Sequence, residues 1–517
     1  MTGPRAFVRH AGAVSFATLL SRILGYARDA AVAAAFGGGH LTDAFYAAFR
    51  LSNLFRRMLG EGPLATAFVP VFSDHLAQRE PQEARNFFQS LFSTLAMVLV
   101  ALVILGMLAA PWIVSLAAGG FKSAAPGTFD LTVTLTRQMF PFLLFVCLAA
   151  LSSAALNALG HYFIPALAPA MLSVATLVYV LGIKSWALDP IQGLAISTTV
   201  GGFLHFAMVW PLLRREGMAP RWRWNPRHPD IQRVAVLVLP ALWGLSIDQI
   251  NAYVDTICAS FLREGSVTAL YNSNRLMQFA LALFGVSLST ATLPHLSMSA
   301  ARKDWEAFKD NFNFSVRMTL YLVLPAMAGL IVLAHPLVKT LFEHGLFTPE
   351  QTRLTVSALI AYTVGLPAYS LVKIVVSAFY ARKDTRTPVK VATLCLIVNM
   401  VGNVLLMGRW GVGGLAFATA FASFVNAGLL MFMLRKNIGL LGGSKMARTL
   451  LVSGGASALM AAGAFGFLHL VPGPLAARAL GAVAVGVILY LGLTWGLGME
   501  EFSHLRDLLK RRKTDAR

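Results

Sequence analysis

Long apolar stretches separated by short polar segments repeat along the whole chain. A helix that spans a bilayer needs about 20 mostly apolar residues, and about fourteen such stretches are bounded by glycine, proline or clustered charges. They lie near residues 10–36, 41–73, 87–118, 132–158, 162–184, 190–213, 231–262, 266–298, 313–340, 350–380, 388–408, 412–434, 447–469 and 476–498. The pattern predicts an all-α polytopic membrane protein with about 14 transmembrane helices.

The composition agrees with a membrane protein rather than a soluble enzyme. Of the 517 residues, 57% are hydrophobic and 13% are charged. Mean hydropathy is +0.66. Cys147, Cys258 and Cys395 each lie in an apolar run without CxxC spacing, so we expect buried thiols rather than a disulfide framework or a zinc site.

The net charge of +20 follows membrane topology. When the loops are assigned alternately to the two sides, most basic residues fall on one side, in segments 214–233, 302–317, 382–390, 435–448 and the tail KRRKTDAR. The positive-inside rule makes this side cytoplasmic, with both termini on it, and leaves no reason to expect a nucleic-acid partner. A cleaved signal peptide is excluded because Arg22, Arg28 and Asp29 interrupt the first apolar run.

An internal repeat divides the chain. LATAFVPVFS (64–73) and LSTATLPHLS (288–297) share the pattern L-x-T-A-x-x-P-x-x-S, and Tyr46 with Arg50–Leu51 recurs as Tyr271 with Arg275–Leu276. The offset of about 224 residues spans six helices and therefore predicts two parallel six-helix repeats. We expect an N-lobe at 1–220, a C-lobe at 221–436, two C-terminal helices at 437–498 and a basic cytoplasmic tail at 499–517.

Several basic residues lie inside predicted spans, where each would cost about 2.5–3.5 kcal/mol at the bilayer centre. They are Arg22, Arg28, Arg50, Arg56, Arg57, Arg275 and Lys373. Asp29, Asp43 and Glu61 would neutralise some of them. Asp43, Arg50 and Arg57 are spaced by seven and share one helical stripe. Because planar guanidinium groups pair with two phosphate oxygens at once, we expect a cationic cavity for pyrophosphate or a similar anion.

Long motifs around these charges closely resemble the MurJ (MviN) family of lipid II flippases, within the multidrug/oligosaccharidyl-lipid/polysaccharide exporter superfamily. The motifs are SRILGYARD (21–29), TDAFYAAFRLSNLFRRMLGEGPLATAFVPVFS (42–73), YNSNRLMQF (271–279), LFEHGLFT (341–348) and FYARKDTRTPVK (379–390). The resemblance covers nearly the whole chain. It implies a transporter of the bacterial inner membrane that exports the undecaprenyl-pyrophosphate-linked peptidoglycan precursor, with no covalent chemistry.

The resemblance also implies roles for individual residues. Substrate-binding positions match Ser21, Arg22, Arg28, Asn53, Arg56 and Arg275. Gating or ion-pair positions match Asp29, Asp43, Arg50 and Glu61. Asn274 and Gln278 stand beside Arg275, where the family often has acids. Some relatives look sodium-coupled, and the matching positions are Asp255, Asn399, Asn403 and Thr419, although a helix-packing polar network explains these four equally well.

We expect alternating access to carry lipid II from the inner to the outer leaflet, with no cofactor and with Na⁺ or the membrane potential as driving force. Membrane lipids and the cell-wall synthesis or division machinery are the expected partners. Two alternatives stay open: a flippase for another polyprenyl-linked glycan, and an integral-membrane glycosyltransferase acting on the same lipid. The second alternative needs a catalytic acidic cluster in the outward loops, and none is present in the sequence.

Overall fold

Apolar helices account for nearly all of the molecule. The computed structural model describes the backbone of residues 4–59, 63–78, 80–124, 127–225 and 228–514, and the side chains of residues 12–57, 64–78, 80, 82–123, 127–225, 228–238 and 249–507. Every regular element in these ranges is helical. The predicted all-α fold class is confirmed.

Eleven α-helices occupy the first half of the chain. They are α1 (Pro4–Phe36), α2 (His40–Leu59), α3 (Pro63–Gln78), α4 (Pro81–Leu108), α5 (Ala110–Ala117), α6 (Phe121–Ala124), α7 (Thr128–Ala158), α8 (Phe163–Leu167), α9 (Ala170–Val178), α10 (Pro190–Arg215) and α11 (Pro229–Ser260). The stretch predicted as one span at 41–73 is formed by α2 and α3. Residues 60–62, which include Glu61, lie outside the described residues.

Ten α-helices follow in the second half. They are α12 (Ser266–Ala280), α13 (Ser287–Ala301), α14 (Trp305–Val332), α15 (Ala334–Phe342), α16 (Pro349–Val364), α17 (Leu366–Ala381), α18 (Arg386–Ile438), α19 (Gly443–Leu470), α20 (Leu475–Gly496) and α21 (Glu500–Thr514). Within α18, Gly411 has φ 53°, a left-handed value that suits glycine. The kink falls between the spans predicted at 388–408 and 412–434.

Eight of the described helices are long and apolar enough to cross a membrane, and the number rises to nine if α16 and α17, bent by 41°, form one span. The predicted count of fourteen therefore stays a prediction.

The chain divides into two compact units, Met1–Thr268 with His344–Thr348, and Ala269–Glu343 with Pro349–Arg517. Helix α11 belongs to the first unit, in which it packs on α2 and α3. The lobes expected from the repeat, with a boundary at residue 220, stay a prediction.

The short segment His344–Thr348 also belongs to the first unit. Within His344–Thr348, the amide of Leu346 donates to the Ala34 carbonyl near the end of α1, at 2.9 Å. Gly345 has φ +58°, and a Cβ there would lie 2.3 Å from the same carbonyl oxygen. Only glycine allows this approach, which explains the glycine in the LFEHGLFT motif.

The predicted basic tail is largely helical and is attached to the second unit. Arg317, which the sequence placed among the cytoplasmic loop charges, lies inside α14 and is 8% exposed. Its guanidinium donates to Glu501 at 2.7 Å and to Glu500 at 2.6 Å. The Thr449 hydroxyl also donates to Glu501, at 2.8 Å. Hydrogen bonding and charge from Arg317 hold the pKa of Glu500 below its usual range.

Candidate functional site

Arg28 and Asp29 form a buried ion pair at the end of the SRILGYARD motif on α1. The Arg28 Nε and Nη2 atoms donate to Asp29 Oδ1 at 2.9 and 2.6 Å. Arg28 is 9% exposed and Asp29 is 1% exposed. The guanidinium carbon also lies 5.8 Å from the centre of the Phe49 ring on α2, within cation–π range. Protein contacts therefore compensate the charge of Arg28 inside an apolar span.

The stripe of Asp43, Arg50 and Arg57 on α2 faces the chain from α11 to the start of α12. Arg50 donates to the Ala252 carbonyl at 3.1 Å and to the Thr256 hydroxyl at 2.5 Å. One seven-residue step further on, Arg57 contacts the Gln249 side chain at 3.5 Å. The common face that the spacing predicts for these residues is present, and it is used for helix packing within the first unit.

Asp43 binds backbone amides in this structure. Its carboxylate accepts from the Gly265 amide at 2.7 Å and from the Thr268 amide and hydroxyl at 2.8 and 2.7 Å. Thr268 lies in the first turn of α12, so Asp43 satisfies amides that a helix start leaves without partners. Among the described residues Asp43 has no arginine partner, and its expected role in a gating ion pair stays a prediction.

Arg56 and Asn53 also meet on α2. The Arg56 Nε donates to the Asn53 Oδ1 at 2.6 Å, and both side chains are half-buried. On α1, Ser21 is half-buried and Arg22 is exposed. Glu61, the remaining predicted gating residue, lies outside the described residues. The first unit therefore carries Arg28, Arg50 and Arg56 as buried or half-buried guanidinium groups on two consecutive helices.

In the second unit, Arg275 is half-buried on α12, with Asn274 half-buried and Gln278 exposed beside it. The same helix contains a residue that the sequence argument missed. Asn272 is fully buried, and neither atom of its amide has a hydrogen-bond partner among the described residues. A buried amide without hydrogen-bond partners is costly in free energy. The position of Asn272 within the YNSNRLMQF motif is the feature of the sequence that points to it.

Three of the four predicted sodium-site residues lie together on α18. The Thr419 hydroxyl donates to Asn399 Oδ1 at 3.3 Å, and Asn399 and Asn403 are both fully buried. Their neutral oxygens are of the type that a hard cation accepts. Asp255 belongs to the first unit and is also buried. Within the described residues, no cluster of three or more His, Cys, Asp or Glu side chains is arranged to hold a metal ion.

The chemistry of the site is binding rather than bond cleavage. Guanidinium groups offer planar pairs of donors that match phosphate oxygens, and a low-dielectric surrounding strengthens such contacts. The acids that accompany them in the described part are engaged in hydrogen bonds with Arg28 and with the amides of Gly265 and Thr268. Guanidinium groups of this kind can bind a phosphate group.

Comparison with known proteins decides the family. The family model for the lipid II flippase MurJ matches residues 32–482. The chain belongs to this family. A probable lipid II flippase MurJ from Rhizobium meliloti is 35% identical over 525 residues, covering 98% of this chain and 97% of the relative. The lipid II flippase MurJ from Burkholderia cenocepacia is 36% identical over 427 residues, covering 82% and 83%.

Solved structures agree with the MurJ family assignment. A lipid II flippase MurJ in an inward closed conformation superposes with a TM-score of 0.79 at 26% identity, covering 96% of this chain and 99% of the other. An inward-facing multidrug resistance transporter of the MATE family gives a TM-score of 0.66 at 13% identity, with coverage of 81% and 95%. That likeness shows a shared fold with the superfamily. The chain is therefore a multi-pass membrane transporter of the MurJ family, and the prediction that it is not an enzyme is confirmed.

Proposed function

We propose that this protein flips lipid II from the inner to the outer leaflet of the bacterial inner membrane. Family membership over residues 32–482 carries the proposal. The relatives from Burkholderia cenocepacia and Vibrio cholerae are named as a lipid II flippase and a probable lipid II flippase. The substrate is an undecaprenyl pyrophosphate carrying the peptidoglycan precursor, and both termini of the protein face the cytoplasm.

The headgroup pyrophosphate binds to Arg22, Arg28, Arg56 and Arg275, with Ser21 and Asn53 as neutral donors. Support comes from the first unit, where buried or half-buried guanidinium groups occupy helices that otherwise suit a bilayer. A buried arginine is expensive to retain unless it is used or paired. Arg28 is paired with Asp29 in this structure. When lipid II binds, its diphosphate replaces Asp29 as the partner of Arg28.

Alternating access moves the headgroup. Asp29, Asp43 and Glu61 pair with arginines in one conformation and release them in the other, and Arg50 belongs to the same group of exchanging contacts. The hydrogen bonds that Asp43 makes with Gly265 and Thr268 are contacts that such an exchange has to break. The polyprenyl tail stays in lipid, beside α19 and α20.

A sodium ion or the membrane potential drives the cycle. In the sodium form of this hypothesis, Asp255, Asn399, Asn403 and Thr419 supply oxygen ligands, of which only Asp255 is anionic. Moving one elementary charge across the membrane is worth about 2.3 kcal/mol per 100 mV. Vesicles containing the purified protein distinguish the two sources: replacing Na⁺ with K⁺ slows sodium-driven flipping, whereas collapsing the potential slows potential-driven flipping.

Depletion of the protein in cells tests the substrate. Lysis with lipid II accumulating in the inner leaflet supports the proposal. Normal wall synthesis with loss of a surface glycan indicates a flippase for another polyprenyl-linked glycan. Translocation of fluorescent lipid II by the purified chain in vesicles, compared with protein-free vesicles, then shows whether the protein acts alone or needs the cell-wall synthesis machinery.

A further inference from the structure

A narrow apolar groove lies in the first unit, beneath the basic segment that follows α10. Its cavity measures about 250 Å³. Phe92 on α4, Leu148 on α7, and Phe206 and Trp210 on α10 form the floor. Phe206 packs against both aromatic neighbours, tilted against Phe92 with ring centres 6.0 Å apart and edge-to-face with Trp210 at 5.6 Å. The groove is too small and too apolar for a glycan headgroup.

The segment over the groove is attached to α4 by hydrogen bonds on both sides of its Arg221–Trp222 pair. Gln89 donates to the Ala219 carbonyl at 3.1 Å. On the other side, the Arg223 amide donates to Ser93 at 3.0 Å, and the Arg223 guanidinium donates to Asn86 at 2.6 Å. The backbone that carries Arg221 and Trp222 is therefore fixed over the groove, and its position does not depend on their side chains.

The rim of the groove is cationic and amphipathic. Arg221 is exposed, and its guanidinium forms no hydrogen bond or ion pair with any residue that the structure describes. Trp222 is 69% exposed. The positive-inside rule assigns this segment to the cytoplasmic side, and tryptophan at such a position sits at the level of lipid headgroups. An unpaired guanidinium at that level attracts an anionic headgroup.

We propose that this groove binds one acyl chain of an anionic glycerophospholipid from the cytoplasmic leaflet, with the lipid phosphate on Arg221. The apolar floor matches a hydrocarbon chain, and the charge of Arg221 matches the phosphodiester. The site lies at the connection between α10 and α11. A bound lipid there stabilises that connection, independently of which substrate the protein carries.

Quenching of tryptophan fluorescence tests the proposal, because Trp210 and Trp222 line the groove. The purified protein is placed in phosphatidylcholine vesicles that contain increasing amounts of phosphatidylglycerol brominated on one acyl chain. A parallel series of vesicles contains phosphatidylcholine brominated on the same acyl chain instead. We expect the phosphatidylglycerol form to quench at a concentration about fivefold lower, the preference that one arginine at an anionic surface provides. The Trp222→Phe variant should lose most of this selective quenching.

Two variants separate the charge from the groove. Arg221→Gln should abolish the preference for phosphatidylglycerol, whereas Arg215→Gln, an exposed arginine at the end of α10 outside the groove, should retain it. Ala96 also lines the groove, and Ala96→Leu, which fills part of it, should reduce quenching by both lipids. Thermal melting of each variant identifies any that fail to fold.

Equal quenching by the two lipids in the unmodified chain, or an Ala96→Leu variant that quenches normally, overturns the proposal. Stronger quenching by a brominated polyprenyl phosphate also overturns it, because the occupant is then the substrate tail.

Discussion

The two repeats of this protein build the same kind of core. In the first unit, Phe88 on α4 packs with Phe72 on α3. At the equivalent positions of the second unit, Phe312 on α14 belongs to a core cluster with Leu296 on α13. Helices α3 and α13 each contain an internal proline, Pro70 and Pro294, at matching positions of the repeated motif. Packing positions thus keep their chemical character across the repeat.

Of the charges on α2, only Arg50 has a charged counterpart in the second repeat, Arg275. Helix α2 carries Asp43, Arg50, Arg56 and Arg57, whereas α12 at the same place in the second repeat carries Arg275 as its one charged residue. Buried apolar groups are favourable in either repeat, whereas each buried charge needs a partner or a use. The packing positions are therefore repeated in both units, whereas α2 of the first unit carries more charges than α12.

The shared core is tested by truncating its equivalent phenylalanines. Phe88 and Phe312 are both fully buried, so Phe88→Ala and Phe312→Ala should each lower the free energy of unfolding by about 3–5 kcal/mol. Chemical unfolding of the purified variants in detergent measures this change. Phe163→Ala, at an exposed position, is the control and should change it by less than about 0.5 kcal/mol. Markedly unequal losses at the two core positions would break the equivalence.

The second unit has a helix, α21, without an equivalent in the first repeat, and Arg317 holds it. Arg317→Ala leaves the carboxylate of Glu501, which is 2% exposed, without its cation, and should cost about 3 kcal/mol. The control is Lys309→Ala, on the same helix and paired with exposed Glu306 at 3.2 Å, which should cost less than about 0.5 kcal/mol. Limited proteolysis should release α21 only from the Arg317 variant. Protection of α21 in that variant would show that other contacts hold it.

The two repeats differ at Asp43, whose counterpart in the second repeat is the neutral residue Thr268. Thr268 itself donates hydrogen bonds to Asp43. Asp43→Ala leaves the buried amides of Gly265 and Thr268 without an acceptor, and should destabilise the first unit by about 2 kcal/mol. Asp304→Ala removes a single cap from the Ala307 amide at the start of α14 and should cost about 1 kcal/mol. Thermal melting compares the two. Equal shifts would mean that Asp43 is no more than an ordinary cap.

The smallest expected effect concerns the contact of Arg50 with α11. Arg50→Ala should cost about 1–2 kcal/mol, and Thr256→Val about 0.5–1 kcal/mol, because the second variant removes one of the two hydrogen bonds. The double variant should show a coupling energy of about 0.5–1 kcal/mol. Additive effects would show that α2 and α11 are not linked through this pair in solution.

Local signals in the sequence predicted much of the fold. The kink at Gly411 falls where two predicted spans meet, and the seven-residue spacing placed Arg50 and Arg57 on one face of α2. The sequence did not reveal the partners of these charges. Asp43 meets amides more than 200 residues away, and Arg317 meets Glu501. Such pairings depend on tertiary packing, which periodicity does not encode. The sequence pattern therefore does not distinguish Arg317, near the start of an apolar span, from a loop residue.

The proposed function requires guanidinium groups of this protein to hold the pyrophosphate of the transported lipid. The most direct test is the rate of lipid II translocation by the purified chain in vesicles when Arg28→Gln is combined with Asp29→Asn, which removes the buried pair without leaving a lone charge. We predict a rate reduced by about 10–100-fold, the value of a charge-assisted contact, at unchanged thermal stability. Arg137→Gln, an exposed arginine on α7, should keep the original rate. Undiminished translocation by the double variant would contradict the account.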